Sequence, residues 1–410
     1  MQLHLLRLFL LILGLSHLVQ AEPPLLFGEV LRSMQERHPA LKAAQLRREA
    51  AAAWARGAGA QPNPQLRLSI PYGYPSEEAN ALVQRIELGG QPGLRSKIAN
   101  LQRDQADARV LNQQRELGKQ AALAYYSLWS ASETERLERK RFELAEKLQS
   151  AAARRLKLGE ISENQFLRAE LEKSQSQALL TSAQANRTIA LNRLNVLLQR
   201  PPDQEIVLAL AEGEALPKPS RDLLLAAVDL RPEVRVAELS AEIQRAEAEL
   251  AGRQRVPDFE LEAYRSSLAR GAEQGVRVSL AFPLWDWGQT GAAVEQHLRE
   301  AEAAESDALA QRQTVTQEAL AAWELLHSEE KRRELLRGQV ERFGRQADLA
   351  RRGYEAGLLS LTEVLEAQRA YREALVEFVS AESEFQKRRW EVYWLSSGSL
   401  LAPEPEGSAR

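Results

Sequence analysis

Leu158-Gly159-Glu160-Ile161-Ser162-Glu163-Asn164-Gln165-Phe166-Leu167 returns later in the chain as Ala356-Gly357-Leu358-Leu359-Ser360-Leu361-Thr362-Glu363-Val364-Leu365. Each copy places a glycine and a short polar stretch between two helix-forming segments. Other pairs keep the same order. His38-Pro39-Ala40-Leu41 matches Arg231-Pro232-Glu233-Val234, and Pro62-Asn63-Pro64-Gln65-Leu66 matches Pro257-Asp258-Phe259-Glu260-Leu261. A repeat this long implies two copies of one large element, because solenoid arrays repeat every few tens of residues. The chain therefore reads as a first repeat over 22–200, a Pro-rich linker over 201–220, a second repeat over 221–397 and a flexible tail over 398–410.

Working outward from the two glycine turns, the flanking segments are helical. Gly93 to Lys157 contains no proline and is dominated by Ala, Leu, Gln, Glu, Arg and Lys, all good helix formers. At about 1.5 Å per residue such a stretch approaches 100 Å, far beyond a compact domain. Leu361, Val364, Gln368, Tyr371, Leu375, Phe378, Glu382 and Phe385 follow the alternating three-and-four spacing of a coiled-coil seam, with a polar outer face between them. The reading predicts helices at about 25–56, 94–157, 162–198, 221–253, 292–355 and 361–394. The long helix and its successor in each repeat form an αα-hairpin, over 94–198 and 292–394, with Gly159 or Gly357 in the reversal.

Between the first and second helices of each repeat the period shifts to two. Leu66, Leu68, Ile70 and Tyr72 alternate with Gln65, Arg67 and Ser69, and Val276, Val278, Leu280 and Phe282 alternate with Arg277, Ser279 and Ala281. Phe259, Leu261 and Ala263 alternate with Glu260 and Glu262; Leu82, Ile86 and Leu88 do so less cleanly, Gln84 being off pattern. Each repeat thus has one β-hairpin, with strands at about 64–72 and 80–88 or 258–267 and 274–284, turning near Tyr74-Pro75-Ser76 or Ala269-Arg270-Gly271. Alternation alone fits a half-buried soluble sheet as well as membrane strands around a wet lumen. Helices about 100 Å long beside the strands favour the membrane reading. Four strands cannot close a barrel and open edges cannot face lipid, so an oligomer is expected, twelve strands from three copies.

Composition narrows the function. Met1 to Ala21 carries an apolar run from Leu8 to Leu15 closed by Val19-Gln20-Ala21, an expected export signal over 1–21. With no cysteine among 410 residues there is no disulfide, thiolate metal site or lipidated Cys. A net charge of −3 gives no basic excess for nucleic acid. His38, His297 and His327 are the histidines beyond the signal; each sits alone on an expected helix, so no metal site, cofactor or catalytic constellation is expected.

In this order and duplication the residues resemble the TolC family of outer-membrane efflux and secretion channels. The carrying motifs are Ala281-Phe282-Pro283-Leu284-Trp285-Asp286-Trp287-Gly288 after the last strand and Tyr354-Glu355-Ala356-Gly357-Leu358 followed by Leu361-Thr362-Glu363-Val364-Leu365-Glu366-Ala367. Arg85-Ile86-Glu87-Leu88-Gly89-Gly90-Gln91-Pro92-Gly93 and His38-Pro39-Ala40-Leu41 look most like the CzcC branch, which serves heavy-metal tripartite exporters. The resemblance implies a mainly α fold with a small membrane β part: a homotrimeric α-barrel/β-barrel tube in the outer membrane, continuing into the periplasm. It would be a passive duct, not an enzyme, opened by a periplasmic adaptor and energised by an inner-membrane RND-type pump. Divalent heavy-metal cations are the expected cargo, with multidrug efflux, type I secretion or a periplasmic coiled-coil scaffold as alternatives.

The resemblance also marks residues. Leu158-Gly159 and Ala356-Gly357-Leu358 lie where the family contacts its adaptor, though the glycines equally serve the turns. Tyr354, Glu363 and Glu366 align with the family's periplasmic gate, with Glu where the family usually has Asp; a solvated Glu pair on a coiled-coil flank is the other reading. Trp285 and Trp287 fit a membrane-interface aromatic belt or packing at the strand–helix junction.

Overall fold

Two prolines decide where the first helix of each repeat breaks. The computed structural model describes residues 24–68, 79–209, 216, 218–268, 271–282, 284–356 and 358–396. The sequence reading takes 25–56 and 221–253 as continuous helices, and the structure corrects both. α1 (Phe27–Arg37) and α2 (Pro39–Gly57) are separate, and α5 (Arg221–Ala226), a 3-10 turn at Val228–Leu230 and α6 (Pro232–Gly252) replace the other. A proline lacks the N–H that would bond to the preceding turn, and it pushes the residue before it into extended geometry. His38 (φ −70°, ψ 124°) and Arg231 (φ −72°, ψ 132°) adopt that geometry. Each proline then opens the next helix, where its missing N–H costs nothing.

The helical hairpins follow the expected plan. α3 (Gln91–Lys157) and α7 (Gln289–Glu355) have 67 residues each, about 100 Å at 1.5 Å per residue. Their return helices are α4 (Glu163–Leu197) and α8 (Leu361–Ser396). Contacts group the chain into two units, 1–33 with 127–214 and 34–126 with 215–410, a division that cuts across the sequence repeats.

In the first unit, Ala169, Ser176, Leu180, Ala183, Leu191 and Leu194 of α4 are buried at seam-like spacing. Arg141 donates to Glu172 at 2.7 Å across the hairpin. Fully buried Asn195 ties down the start of the Pro-rich segment, donating to the carbonyls of Pro202 (2.9 Å) and Gln204 (2.7 Å). Leu25 then bridges Leu208 in parallel, its N–H donating to the Val207 carbonyl at 2.8 Å.

The second unit carries the sheet, an antiparallel meander β1-β2-β3-β4. β1 is Gln65–Arg67, β2 Ala79–Glu87, β3 Asp258–Leu268 and β4 Gly271–Ala281. The described part of β1 is shorter than the expected 64–72, and the turns near Tyr74-Pro75-Ser76 and Ala269-Arg270 lie outside the described residues. β4 stops at Ala281, short of the expected 284. Pro283, two residues on, has no N–H to offer a ladder. The two hairpins join directly through β2 and β3, paired from Ala79↔Ser266 to Glu87↔Asp258. Pro62 and Pro64 cannot continue β1 backwards, and side chains take over: Gln84 donates to the Pro62 carbonyl at 2.9 Å, and Gln61 accepts from the Glu87 N–H at 3.0 Å. Gln84, off pattern in the sequence, is thus a substitute rung.

One sheet face aligns Leu66, Leu82, Ala263 and Val276, with Leu261 opposite Val278 and Phe259 opposite Leu280. Leu66, Leu82, Val276, Val278 and Leu280 are all more than half exposed. The opposite face carries ion pairs, Arg277 to Glu262 at 3.0 Å and Arg85 to Asp258. Here too Ala81 and Val83 of β2 are buried on the charged side, so the alternation is cleaner on β3 and β4.

The core of this unit lies where α8 meets α3 and α7. Trp390 donates from Nε1 to the Tyr126 hydroxyl at 2.9 Å, and Ser383 Oγ donates to the Tyr126 carbonyl at 2.8 Å. The Trp390 and Trp394 rings are 5.4 Å apart. Leu224, Ala322 and Leu326 close on Phe385, Val392 and Leu395. The wet outer face expected for α8 ends near Ala381, beyond which most residues are buried because neighbouring elements surround the helix. Replacing Trp390 with Ala removes the ring and its hydrogen bond to the Tyr126 hydroxyl, and we expect a loss of about 3–5 kcal/mol. Trp390→Phe should cost about 1 kcal/mol. Denaturant unfolding in detergent measures both, and a Trp390→Phe variant as stable as the wild type would contradict the hydrogen bond to Tyr126.

Candidate functional site

The turn after α3 is closed by a left-handed glycine. Gly159 has φ +71°, its N–H donates to the Leu156 carbonyl at 3.0 Å, and Glu160 N–H reaches the Arg155 carbonyl at 2.9 Å. This bond pair is a Schellman motif, which satisfies carbonyls the ending helix leaves open. α4 then starts with a capping box, Gln165 accepting from the Ser162 N–H at 3.1 Å. Leu158 is left 72% exposed at the turn.

The turn after α7 uses different chemistry. Gly357 lies outside the described residues. Leu358 and Leu359 both donate to the Gly353 carbonyl, at 2.8 and 3.2 Å, and the Leu359 side chain lies so close that a Cβ on Gly353 would meet it at 2.8 Å. Gly353, which the sequence reading passed over, is therefore the close-approach glycine of this turn. Ala356 and Leu358 are exposed.

Glu363 and Glu366 share one groove but do different work. Glu363 Oε2 accepts from the Ser360 N–H (2.7 Å) and hydroxyl (2.8 Å), while Ser360 Oγ accepts from the Glu363 N–H at 3.3 Å. This closes a capping box on α8. The Ser360 backbone bond, then the hydroxyl bond, hold the Glu363 carboxyl below its ordinary range. The signal was in the sequence as Ser360-x-x-Glu363, echoed by Ser162-x-x-Gln165. Glu366, one turn on, is exposed and lines with Glu363, Arg342 and Arg345 an open groove of 740 Å³. Tyr354 is not in that groove; it packs with Tyr371 on a cluster of Ala347, Ala350, Val364 and Ala367.

At the exit of β4, Trp285 and Trp287 are 69% and 87% exposed, beside exposed Phe282 and Leu284. Trp287 has φ +53° and Gly288 φ +85°, a left-handed pair in which a bulky tryptophan is strained. Asp286 holds the turn, accepting from Gly288 N–H at 3.1 Å and Thr290 N–H at 3.2 Å at the start of α7. Its hydrogen bonds, from Thr290 first, bring its pKa down to about 2. Trp54 on α2, also missed in the sequence, is 60% exposed.

The histidines part ways. His38 caps α2, Nδ1 accepting from Ala40 N–H at 3.3 Å, and desolvation lowers its pKa. His327 stacks on Trp323, ring centres 4.1 Å apart. His297 instead meets Gln244, Glu247 and Glu300, two of them on another helix and hence unseen in the local spacing. Among the described residues no group of three or more His, Cys, Asp or Glu is arranged to hold a metal ion, and no helix is long and apolar enough to cross a membrane.

A sheet apolar on one face and charged on the other, followed in sequence by a very long helical hairpin in each repeat, defines the pattern of a channel-type membrane protein. The profile of the family described as outer membrane efflux protein matches residues 30–199 and 223–395, and the chain belongs to that family. It is accordingly an outer-membrane channel protein and not an enzyme. Among relatives, the cobalt-zinc-cadmium resistance protein CzcC of Cupriavidus metallidurans is 28% identical over 329 residues, 78% of this chain and 77% of its own. The fold is similar to that of CusC (17% identity, TM-score 0.73, covering 91% of this chain and 92% of that one). It is also similar to the Campylobacter jejuni CmeC outer membrane channel (16%, 0.75, 92% and 87%) and to the open state of Neisseria gonorrhoeae MtrE (18%, 0.73, 91% and 89%).

Because the folded Glu363 pKa is lowered, its contribution to the α8 terminus is complete above the unfolded value and is lost as pH falls through the folded one. Amide exchange at Ser360 to Val364, corrected for intrinsic rates, should therefore quicken on acidification below the ordinary carboxylate range. In Glu363→Ala it should be fast at every pH. A pH-independent wild type would remove the cap from this account.

Proposed function

We propose that the chain is the passive exit duct of a tripartite exporter, a homotrimer working with a periplasmic adaptor and an inner-membrane RND-type pump, and that the cargo is divalent heavy-metal cations. The observation that carries the cargo is the 28% identity to a cobalt-zinc-cadmium resistance protein over most of both chains. The trimer is supported by the sheet itself: β1 and β4 are open edges, which lipid does not tolerate, and three sheets joined edge to edge leave none. Selection of the metal belongs to the pump. Soft transition metals are chosen by Cys, Met and His ligands, and beyond the expected signal this chain has no Cys, one Met and three scattered His. Deletion of the gene should sensitise cells to several divalent metals at once, in growth assays against cobalt, zinc and cadmium. Sensitivity confined to dyes, detergents or antibiotics would replace metal with multidrug cargo, and loss of a secreted protein alone would point to type I secretion.

The exposed turns at Leu158-Gly159 and Ala356-Gly357-Leu358 serve in this reading as adaptor contacts, Tyr354, Glu363 and Glu366 as the gate region, and Trp285 and Trp287 as the lipid-interface belt. The two gate carboxylates divide the labour. Glu363 is engaged by Ser360, whereas Glu366 is exposed at the groove. Three copies of Glu366 around an axis would attract cations. In planar bilayers, Glu366→Ala should reduce cation selectivity and multivalent-cation block by severalfold, with Glu363→Ala acting less. Unchanged selectivity in Glu366→Ala would return Glu366 to the role of a solvated surface residue.

A further inference from the structure

We propose that the joint between the sheet and α7 binds an anionic phospholipid, with Arg253 and Arg255 meeting the headgroup phosphate and Trp285 and Trp287 lying beside its glycerol and acyl chains. The inference rests on the lipid-interface reading of these tryptophans and adds a choice of lipid to it. A 3-10 turn at Arg253–Arg255 leads into β3, and Trp285-Asp286-Trp287 follows β4. The two segments come together because Asp258 pairs with Ala281 at this end of the hairpin. Asp286 Oδ2 lies 3.6 Å from Arg255 Nε, and Gly291 sits under the same guanidinium, where a Cβ would come within 3.7 Å of Nη2. In an outer-membrane channel whose helices occupy the periplasm, this joint stands at the periplasmic leaflet, which is built of phospholipid.

The backbone of Trp287 is the first sign of an outside partner. Its φ of +53° is strained for so bulky a residue, yet the indole is almost fully exposed and makes no ring contact among the described residues. Strain kept at an aromatic that gains nothing within the chain is explained by a gain beyond it, and indoles settle at the headgroup level of a membrane. Exposed Phe282 and Leu284 continue the apolar face of β4 up to the tryptophans. The charges are the second sign. Arg253 and Arg255 are both exposed. Arg253 has no ion pair among the described residues, and Arg255 has Asp286 alone, its closest nitrogen being Nε. The terminal nitrogens of Arg255 are thus left for a second acceptor, and a guanidinium holds phosphate through such a fork. Glu249 and Asp258 have partners of their own, Lys97 and Arg85, so one carboxylate against two guanidinium groups leaves the joint cationic. Basic residues at this depth are drawn to anionic lipid. The joint of the first repeat differs: Arg95 donates to the carbonyls of Ala58 (3.2 Å) and Ala60 (2.9 Å) and pairs with Glu87 at 2.7 Å, so its arginine closes the chain instead.

Quenching of tryptophan fluorescence by brominated lipid tests the site. The full-length chain is reconstituted into vesicles of phosphatidylcholine with phosphatidylglycerol as the minor component, bromine being carried by one lipid or the other. The signal of Trp285 and Trp287 is the part that disappears in Trp285→Phe/Trp287→Phe. Phosphatidylglycerol should be enriched at these indoles by about threefold or more over its share of the vesicle. Arg253→Gln/Arg255→Gln should bring it down to the vesicle average while quenching by phosphatidylcholine persists. Arg253→Lys/Arg255→Lys, which keeps the charge, should retain most of the enrichment. Quenching of the wild type by both lipids in proportion to their share would overturn the site and leave the interface belt standing. Enrichment that survives the Gln pair, or that is lost equally in the Lys pair, would overturn the role of the arginine charges. Quenching by neither lipid would remove the belt and the site together.

Discussion

A backbone N–H or C=O group withdrawn from water has to find a partner, and that requirement decides the joints of this protein. Long helices are easy to extend and hard to end, because each terminus leaves four groups open. At Gly159 a left-handed residue folds two N–H groups back onto α3. Ser162 with Gln165 and Ser360 with Glu363 close the starts of α4 and α8. Asp286 does the same for α7 at the cost of a left-handed tryptophan. Gln84 and Gln61 stand in for a ladder that Pro62 and Pro64 cannot make, and Asn195 gathers the carbonyls of a proline-rich segment. The repeated polar residues between helices and strands are mostly hydrogen-bond closures, and the proposed functional surfaces lie beside them.

Closure sits so close to the proposed gate residues that gate and cap are hard to separate by sequence. A carboxylate three residues after a serine at a helix start serves the backbone first, since its partner is local and always present. Glu363 follows this rule. Glu366 is one turn further in, beyond reach of the open N–H groups, and stays available for a partner from elsewhere. At the sheet the hierarchy is similar. Arg277 and Glu262 neutralise each other across the strands, while the side chains of the apolar face stay largely exposed among the described residues.

Much of the fold was legible because it is local. The 3.6 and 2.0 periods of the side chains separate helix from strand, and the duplicated glycine turns locate both hairpins. The breaks at His38 and Arg231 were also written in the sequence, in the prolines that follow them, and a periodicity scan passed over them because one displaced residue barely disturbs a helical stripe. The capping boxes were equally legible and went unread beside a stronger functional motif.

What the sequence determined by itself is the repertoire of elements: two long helical hairpins, two β-hairpins, the apolar and charged faces of β3 and β4, and the absence of thiol chemistry. These depend on neighbours within a few residues, where chain geometry restricts the choices. Tertiary structure alone decided that β2 pairs with β3, that α8 is surrounded beyond Ala381, that Tyr126 meets Trp390, and that His297 faces Gln244 and Glu247. Those contacts join residues far apart in the chain. Their formation balances loop closure against burial over the whole molecule, a sum that no local pattern contains.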